Sequence, residues 1–271
     1  MSPRTGNPRR HGRPPYRVVL VHGGPGTPGT LAPVARELAS WVGLLEPWQT
    51  ASTVAGQVEE LGQQISDSTT PPVTLVGHSW GAWLSVLLAA QQQEKVRRLV
   101  LVGSGPFRAR YAREIRARRM LRLRPDEWDT LERTLRVVSR PPRNPASTAV
   151  RRIEKLVELA DSYELLPHRP GTVRFDPRMY QKIWPEAEKM RATGALAGAL
   201  RRIQAPVLVL HGANDPHPVR GVVDPLRAAG VNVRVVLFRR CGHTPWWERY
   251  ARDAFLRALR KELARDSSAS R

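Results

Sequence analysis

One cysteine, Cys241, occurs in 271 residues. That excludes an internal disulfide and a cysteine-built zinc or iron–sulfur site, and neither a metal nor a cofactor is expected. No apolar run approaches the roughly 20 residues that cross a bilayer. Residues 1–15 are rich in proline and arginine, with no apolar stretch of signal-peptide type. The reading is a cytoplasmic protein with no membrane partner. Lysine is scarce too, standing only at 95, 155, 182, 189 and 261, so the net charge of +20 is almost entirely arginine. Aromatics are only 6% of the chain, and the basic stretch Arg108, Arg110, Arg113, Arg116, Arg118 and Arg119 carries few rings on which bases could stack. Specific nucleic-acid binding is therefore not expected, and solvated helix faces account for the pattern.

What the chain does have is alternation. Short apolar, β-branched runs end in Gly, His or Phe at 16–22, 73–77, 99–103, 207–212 and 233–238, the pattern of strands buried in a parallel sheet. Amphipathic stretches at 31–41, 54–65, 83–90 and 254–263 are long enough for crossover helices, so the class is α/β. The alternation stops between about 106 and 199, where the patterns are helical. Trp128, Leu131, Leu135 and Val138 share one face after a start signal at Pro125 and Asp126. Ile153, Leu156, Val157 and Ala160 share another, and a third helix is expected after Pro185. The domain spans 16–265 and contains this helical insertion at 106–199, divided at the proline-rich 141–145. Residues 1–15, a basic tail, and 266–271 are expected to be disordered.

Chemistry gathers at the strand ends. Gly77-His78-Ser79-Trp80-Gly81 fits Gly-x-Ser-x-Gly where an apolar strand meets an apolar helix. Small residues two positions either side let strand and helix pass closely around a serine in strained geometry. Such a turn lifts Ser79 Oγ out of the sheet and turns the Trp80 backbone N–H toward the space where an oxyanion would form. A serine nucleophile needs a base, and the base an orienting acid. Asp215 follows the run at 207–212, and His243, within Gly242-His243-Thr244-Pro245, follows the run at 233–238. In open α/β sheets functional groups collect at these ends. Each residue alone has an ordinary explanation: Ser79 as a helix cap, Asp215 as a turn residue before Pro216, His243 as a loop histidine. Their shared placement and their order, serine, acid, histidine, make them the candidate triad. Asp224 is the rival acid, and Glu248 is assigned to the first turn of the last helix. Cys241, two residues before His243, makes inhibition by bulky thiol reagents an expectation.

His22-Gly23-Gly24-Pro25-Gly26 follows the first strand. The N–H of Gly23 or Gly24 would supply the other oxyanion donor, because a missing side chain lets backbone approach a substrate. Gly24-Pro25-Gly26-Thr27-Pro28-Gly29 also fits Gly-x-Gly-x-x-Gly, with Glu46 at the distance of a ribose-binding acid. Against that, Pro25 and Pro28 remove two N–H groups from a loop that would have to donate them to a pyrophosphate.

These residues resemble the α/β-hydrolase superfamily with a helical cap, and within it the proline iminopeptidase-like group, through HGGPG at 22–26 and Ser-Trp-Gly at 79–81. The resemblance implies an α/β-hydrolase fold and a serine hydrolase acting on a small amide or ester of a small molecule or short peptide. It assigns Ser79 as nucleophile, His243 as base, Asp215 as orienting acid, and Gly24 with Trp80 as oxyanion donors. The protein is expected to be a monomer or weak oligomer; a carboxylesterase, an acyltransferase or a carbon–carbon bond hydrolase would use the same triad, and the alternative from another class is a basic nucleic-acid or anion-binding protein on a hydrolase scaffold. There are departures. The stretch 44–50 lacks the group's Arg-Gly-x-Gly-x-Ser turn, His78 stands where the peptidases have glycine, and the short N-terminus implies shortened or missing edge strands. An aminopeptidase must also bind an ammonium group, for which the insertion offers Glu158, Asp161, Asp176, Glu186 and Glu188 among many arginines. Trp184, Met179, Tyr180, Trp246 and Trp247 are candidates for an apolar pocket.

Overall fold

The computed structural model describes residues 6–138, 147–167 and 175–268. The expected division at 141–145 and residues 1–5 and 269–271 lie outside them. Among the described residues seven strands form one sheet: β1 (Arg9–His11), β2 (Tyr16–Val21), β3 (Gly43–Glu46), β4 (Val73–His78), β5 (Val96–Val102), β6 (Val207–Gly212) and β7 (Val233–Phe238). Their order is β1-β3-β2-β4-β5-β6-β7. Every pairing is parallel except that of β1 with β3.

The period-two geometry of a strand explains why the central runs are apolar throughout. Val19, Val21, Leu75, Leu99, Leu101 and Val209 enter one core with α2 (Val54–Ser68), α3 (Trp80–Gln91) and α9 (Arg220–Ala228). Their neighbours Val18, Leu20, Val76, Val100, Val102 and Leu210 enter the other with α1 (Ala32–Leu38) and α10 (Arg252–Ser268). Each fully buried aliphatic side chain contributes about 1.5–3 kcal/mol, which fixes the register and hence the level at which each strand ends. His78 pairs with Val102, Val102 with Leu210, and Gly212 with Phe238. The loops that follow these strands therefore emerge side by side.

The N-terminus departs from the expected disordered tail. Glu46 is fully buried on β3, and a buried carboxylate requires partners. Arg9 Nη1 and His11 Nε2 supply them at 3.3 and 3.0 Å, while Asn7 exchanges two 2.9 Å hydrogen bonds with the backbone of Trp48. The antiparallel edge strand is thus shortened rather than missing, and Glu46 is committed to it. At the other end α10 runs on through Ser268, past the expected limit at 265.

Between β5 and β6 the chain forms α4 (Ala109–Met120), α5 (Pro125–Val138), α6 (Ser147–Asp161), α7 (Pro177–Thr193) and α8 (Ala195–Ala199). This cap has a small core of its own, with Trp128 and Leu131 against Ile153, Leu156 and Ala160, and Leu135 and Val157 packed on it. The side chain of Val138 lies outside the described residues. α7 corrects the expectation of a helix starting after Pro185. Asp176 accepts hydrogen bonds from the N–H groups of Arg178 and Met179, at 2.9 and 3.3 Å, with Pro177 in the first turn, so the helix starts there and Pro185 lies inside it.

Candidate active site

Ser79 stands between β4 and α3 with φ 53° and ψ −111°, a backbone conformation that non-glycine residues rarely adopt. Its N–H donates to Val102 O at 3.0 Å, which ties the turn to β5. A Cβ on Gly81 would collide with the carbonyls of Val21 and His22, and one on Gly77 would collide with Gly81 itself and lie 2.6 Å from Ser85 Oγ. Both glycines are thus required by the crossing of strand and helix. Trp80 opens α3, so its backbone N–H is one of those with no partner inside the helix. Of the two candidate glycines, Gly23 donates its N–H to Thr30 Oγ1 at 2.9 Å and is occupied. Gly24 has φ +49°, a conformation open to glycine.

Asp215 and His243 meet. His243 Nδ1 lies 2.8 Å from Asp215 Oδ2, and the pair is almost entirely buried. Burial alone would push the carboxyl up, yet the fields of His243, His217 and His211 hold it well below the usual range. Burial likewise disfavours the His243 cation, but the Asp215 charge and hydrogen bond outweigh it and leave His243 above its ordinary value. Asp224, the rival acid, instead accepts the Tyr111 hydroxyl at 3.0 Å. Gly103 backs the pair: its φ is +50°, and a Cβ there would lie 2.7 Å from His243 O and 3.2 Å from its Nδ1.

Three supports surround the pair, and the first two escape sequence reading because they work through partners remote in the chain. His78, beside Ser79, packs its ring 4.8 Å from that of His243 and 4.7 Å from Trp246, and its Nε2 is 3.2 Å from His243 O. Glu248 is not in the last helix. It is fully buried and accepts the N–H groups of Gly242 (2.7 Å), Tyr163 (2.8 Å) and Glu164 (2.9 Å). It thereby fastens the cap segment after α6 to the loop that carries His243. His243 N itself donates to Asp161 O at 2.8 Å, and Asp161 is held by a bidentate pair with Arg119 at 2.6 Å on each arm. The third is His217, which engages Asp215 Oδ1 through both its N–H and its ring. Asp215, His217 and His243 each offer a donor atom within 4.8 Å of the others. Because the carboxylate is already taken up by these hydrogen bonds, the group is a hydrogen-bond network.

The model of the Alpha/beta hydrolase family matches residues 18–258. The chain belongs to that family. A pimeloyl-[acyl-carrier protein] methyl ester esterase of Nitrosomonas europaea is 26% identical over 195 residues, 70% of this chain and 71% of that protein. Among solved structures, an esterase from Exiguobacterium antarcticum superposes with a TM-score of 0.64 at 15% identity, covering 94% of each chain. The meta-cleavage product hydrolase CumD from Pseudomonas fluorescens IP01 superposes with a TM-score of 0.60 at 17% identity, covering 95% of this chain and 93% of that one. The protein is a hydrolase, and the narrower likeness to proline iminopeptidases gains no support from these relatives.

In this α/β hydrolase the cap carboxylates weighed for an ammonium site have other work. Asp161 pairs with Arg119, Asp176 caps α7, Glu186 accepts the Val54 N–H at 2.8 Å, Glu188 pairs with Arg191 at 3.2 Å, and Glu158 is exposed. The aromatic candidates divide. Trp246 packs against His78 and Phe255, Trp247 lies against the second core, and both line a surface hollow with Pro33, Arg36 and Leu256 of α1 and α10. Within α7 Tyr180 stacks on Trp184 at 5.6 Å, Trp184 stacks on Trp83 of α3 at 6.1 Å, and Gln57 links Met179 Sδ to Trp80 Nε1. The stack meets α3 at Trp83, in the first turn of the helix that Ser79 precedes. Among the described residues no helix is long and apolar enough to cross a membrane.

Proposed function

We propose that this protein is a serine hydrolase of carboxylic esters acting through an acyl-enzyme. Ser79 Oγ attacks the ester carbonyl while His243 Nε2 takes its proton. Asp215 holds the imidazole with its proton on Nδ1, and the N–H groups of Gly24 and Trp80 receive the oxyanion. The alcohol leaves with the proton from His243, and water then releases the acid by the same steps. One observation carries this reading: a buried, 2.8 Å Asp215–His243 contact at the ends of β6 and β7, level with a strained serine at the end of β4.

Ester is favoured over peptide because the cap carboxylates Asp161, Asp176, Glu186 and Glu188 are engaged, and because a curated relative acts on a methyl ester. That relative's substrate rides on an acyl carrier protein. The exposed Arg108, Arg110, Arg113 and Arg116 on and beside α4 would suit a carrier of the acyl group here whose surface is anionic. The test compares wild type with Ser79→Ala on short p-nitrophenyl esters and on prolyl and alanyl arylamides. Ester cleavage lost in the variant, with arylamides untouched, is the expected result. Arylamide cleavage would restore the aminopeptidase reading, and turnover that survives Ser79→Ala would end the serine mechanism.

A further inference from the structure

His217 has no part in the steps above, yet it shares their carboxylate. Its backbone N–H and ring Nδ1 reach Asp215 Oδ1 at 2.9 and 2.8 Å, while His243 Nδ1 takes Oδ2 at 2.8 Å. The two imidazoles lie against each other, with centroids 4.4 Å apart and planes 30° from parallel. His211 Nε2 lies 2.8 Å from His217 O and pins that turn to β6.

Donor arithmetic then sets the protons. An ionised carboxylate only accepts, so any ring nitrogen bonded to it must carry hydrogen. His217 and His243 are therefore both protonated on Nδ1, and when neutral both have a bare Nε2. For the same reason His211 carries its proton on Nε2, facing the His217 carbonyl. Two imidazolium rings this close would repel strongly inside the protein, so only one of them holds the charge at a time.

We propose that His217 is a positioning residue for the reaction: as a neutral Nδ1–H donor it occupies Asp215 Oδ1, leaves Oδ2 to His243 alone, and limits how far the carboxylate stabilises the His243 imidazolium. This rests on the triad reading of Ser79, Asp215 and His243. The groups facing His217 agree with its neutrality. Asp215 is the anion; His211 on β6, His78 at the end of β4 and His243 after β7 are imidazoles. From α4, Arg118 Nη1 donates to Asp215 O at 3.3 Å, and Arg119, paired with Asp161, adds a second positive field. Burial, the His243 field and Arg119 all work against a cation on His217, and Asp215 alone does not overcome them.

The test uses the full chain, with His217→Ala to remove the ring donor and His217→Asn to keep a non-titrating one. With a p-nitrophenyl ester, His217→Ala should move the acid limb of kcat/KM upward by about half a pH unit, because an under-bonded Asp215 holds the His243 proton more tightly. Its plateau kcat should fall about tenfold with KM within twofold, whereas His217→Asn stays within about threefold of wild type. Long-range 1H–15N spectra of histidine-labelled protein should show His217 neutral and Nδ1-protonated throughout the His243 titration. An unchanged acid limb in His217→Ala, even with a lowered Tm, would reduce His217 to packing and overturn the proposal. So would spectra showing an Nε2–H tautomer, or protonation of His217 before His243. The spectra need no turnover, so they judge His217 even if Ser79→Ala refutes the triad.

Discussion

Ser79 is held at φ 53° by elements on either side, and what it gains depends on groups that follow other strands. If Asp215 orients His243, Asp215→Asn should fold and lose about 10³–10⁴ in kcat, because an amide that donates to Nδ1 selects the wrong tautomer. Asp224→Asn, at a carboxylate that accepts the Tyr111 hydroxyl away from His243, should leave steady-state kinetics within about twofold. Buried Cys241, whose thiol is pushed up by burial, should resist iodoacetamide in the native enzyme, contrary to the expectation of inhibition by thiol reagents; mass spectrometry of intact protein reads this directly. At this scale much was legible. Ser79, Asp215 and His243 announce themselves because each follows an apolar run, a local signal. His217, Glu248 and Arg119 do not, because their meaning lies in partners that only the fold brings near. His217 is the partial exception, since a second histidine two residues beyond the acid was in view and its ring could be asked where it points.

The glycines act between elements. Gly103 leaves β5 with φ +50° directly against His243, so Gly103→Ala should cost about 1–2 kcal/mol in a denaturant melt for the left-handed backbone. Its loss of kcat should exceed what that cost implies, since the new methyl displaces the imidazole itself. Arg119 joins α4 to the end of α6, and Arg119→Ala leaves Asp161 buried and unpaired, which should cost about 3 kcal/mol by the same assay. The sheet and most flanking helices were readable from periodicity, because strands buried on two faces and helices buried on one leave different patterns. β3 escaped because Gly43–Glu46 is too short to show a period. α9 escaped because Pro225 reads as a breaker, although Val222, Val223 and Leu226 bury the face that holds the helix in place. The start of α7 escaped because Pro185 outweighed the better signal of Asp176 followed by Pro177.

Across the whole molecule the histidines set a direction with pH. Burial lowers His22, His78, His211 and His217 below their ordinary value of 6.5. A group depressed in the folded state contributes stability above its unfolded pKa and loses it as pH falls toward the folded one. His243, raised, works the other way and contributes below 6.5. With four groups against one, Tm should fall as pH drops from about 6.5 toward 5, measured by calorimetry at constant ionic strength. The acid limb of kcat/KM should lie above 6.5, so activity fades before the fold does. Glu248 carries a last consequence. Its carboxylate is satisfied partly by the His243 loop and partly by Tyr163 and Glu164, which belong to the inserted cap. The cap is therefore not an exchangeable module. A chimaera that replaces it without the stretch around 161–166 strands a buried anion beneath the His243 loop, whereas one that grafts the stretch along with the helices keeps both halves of the joint.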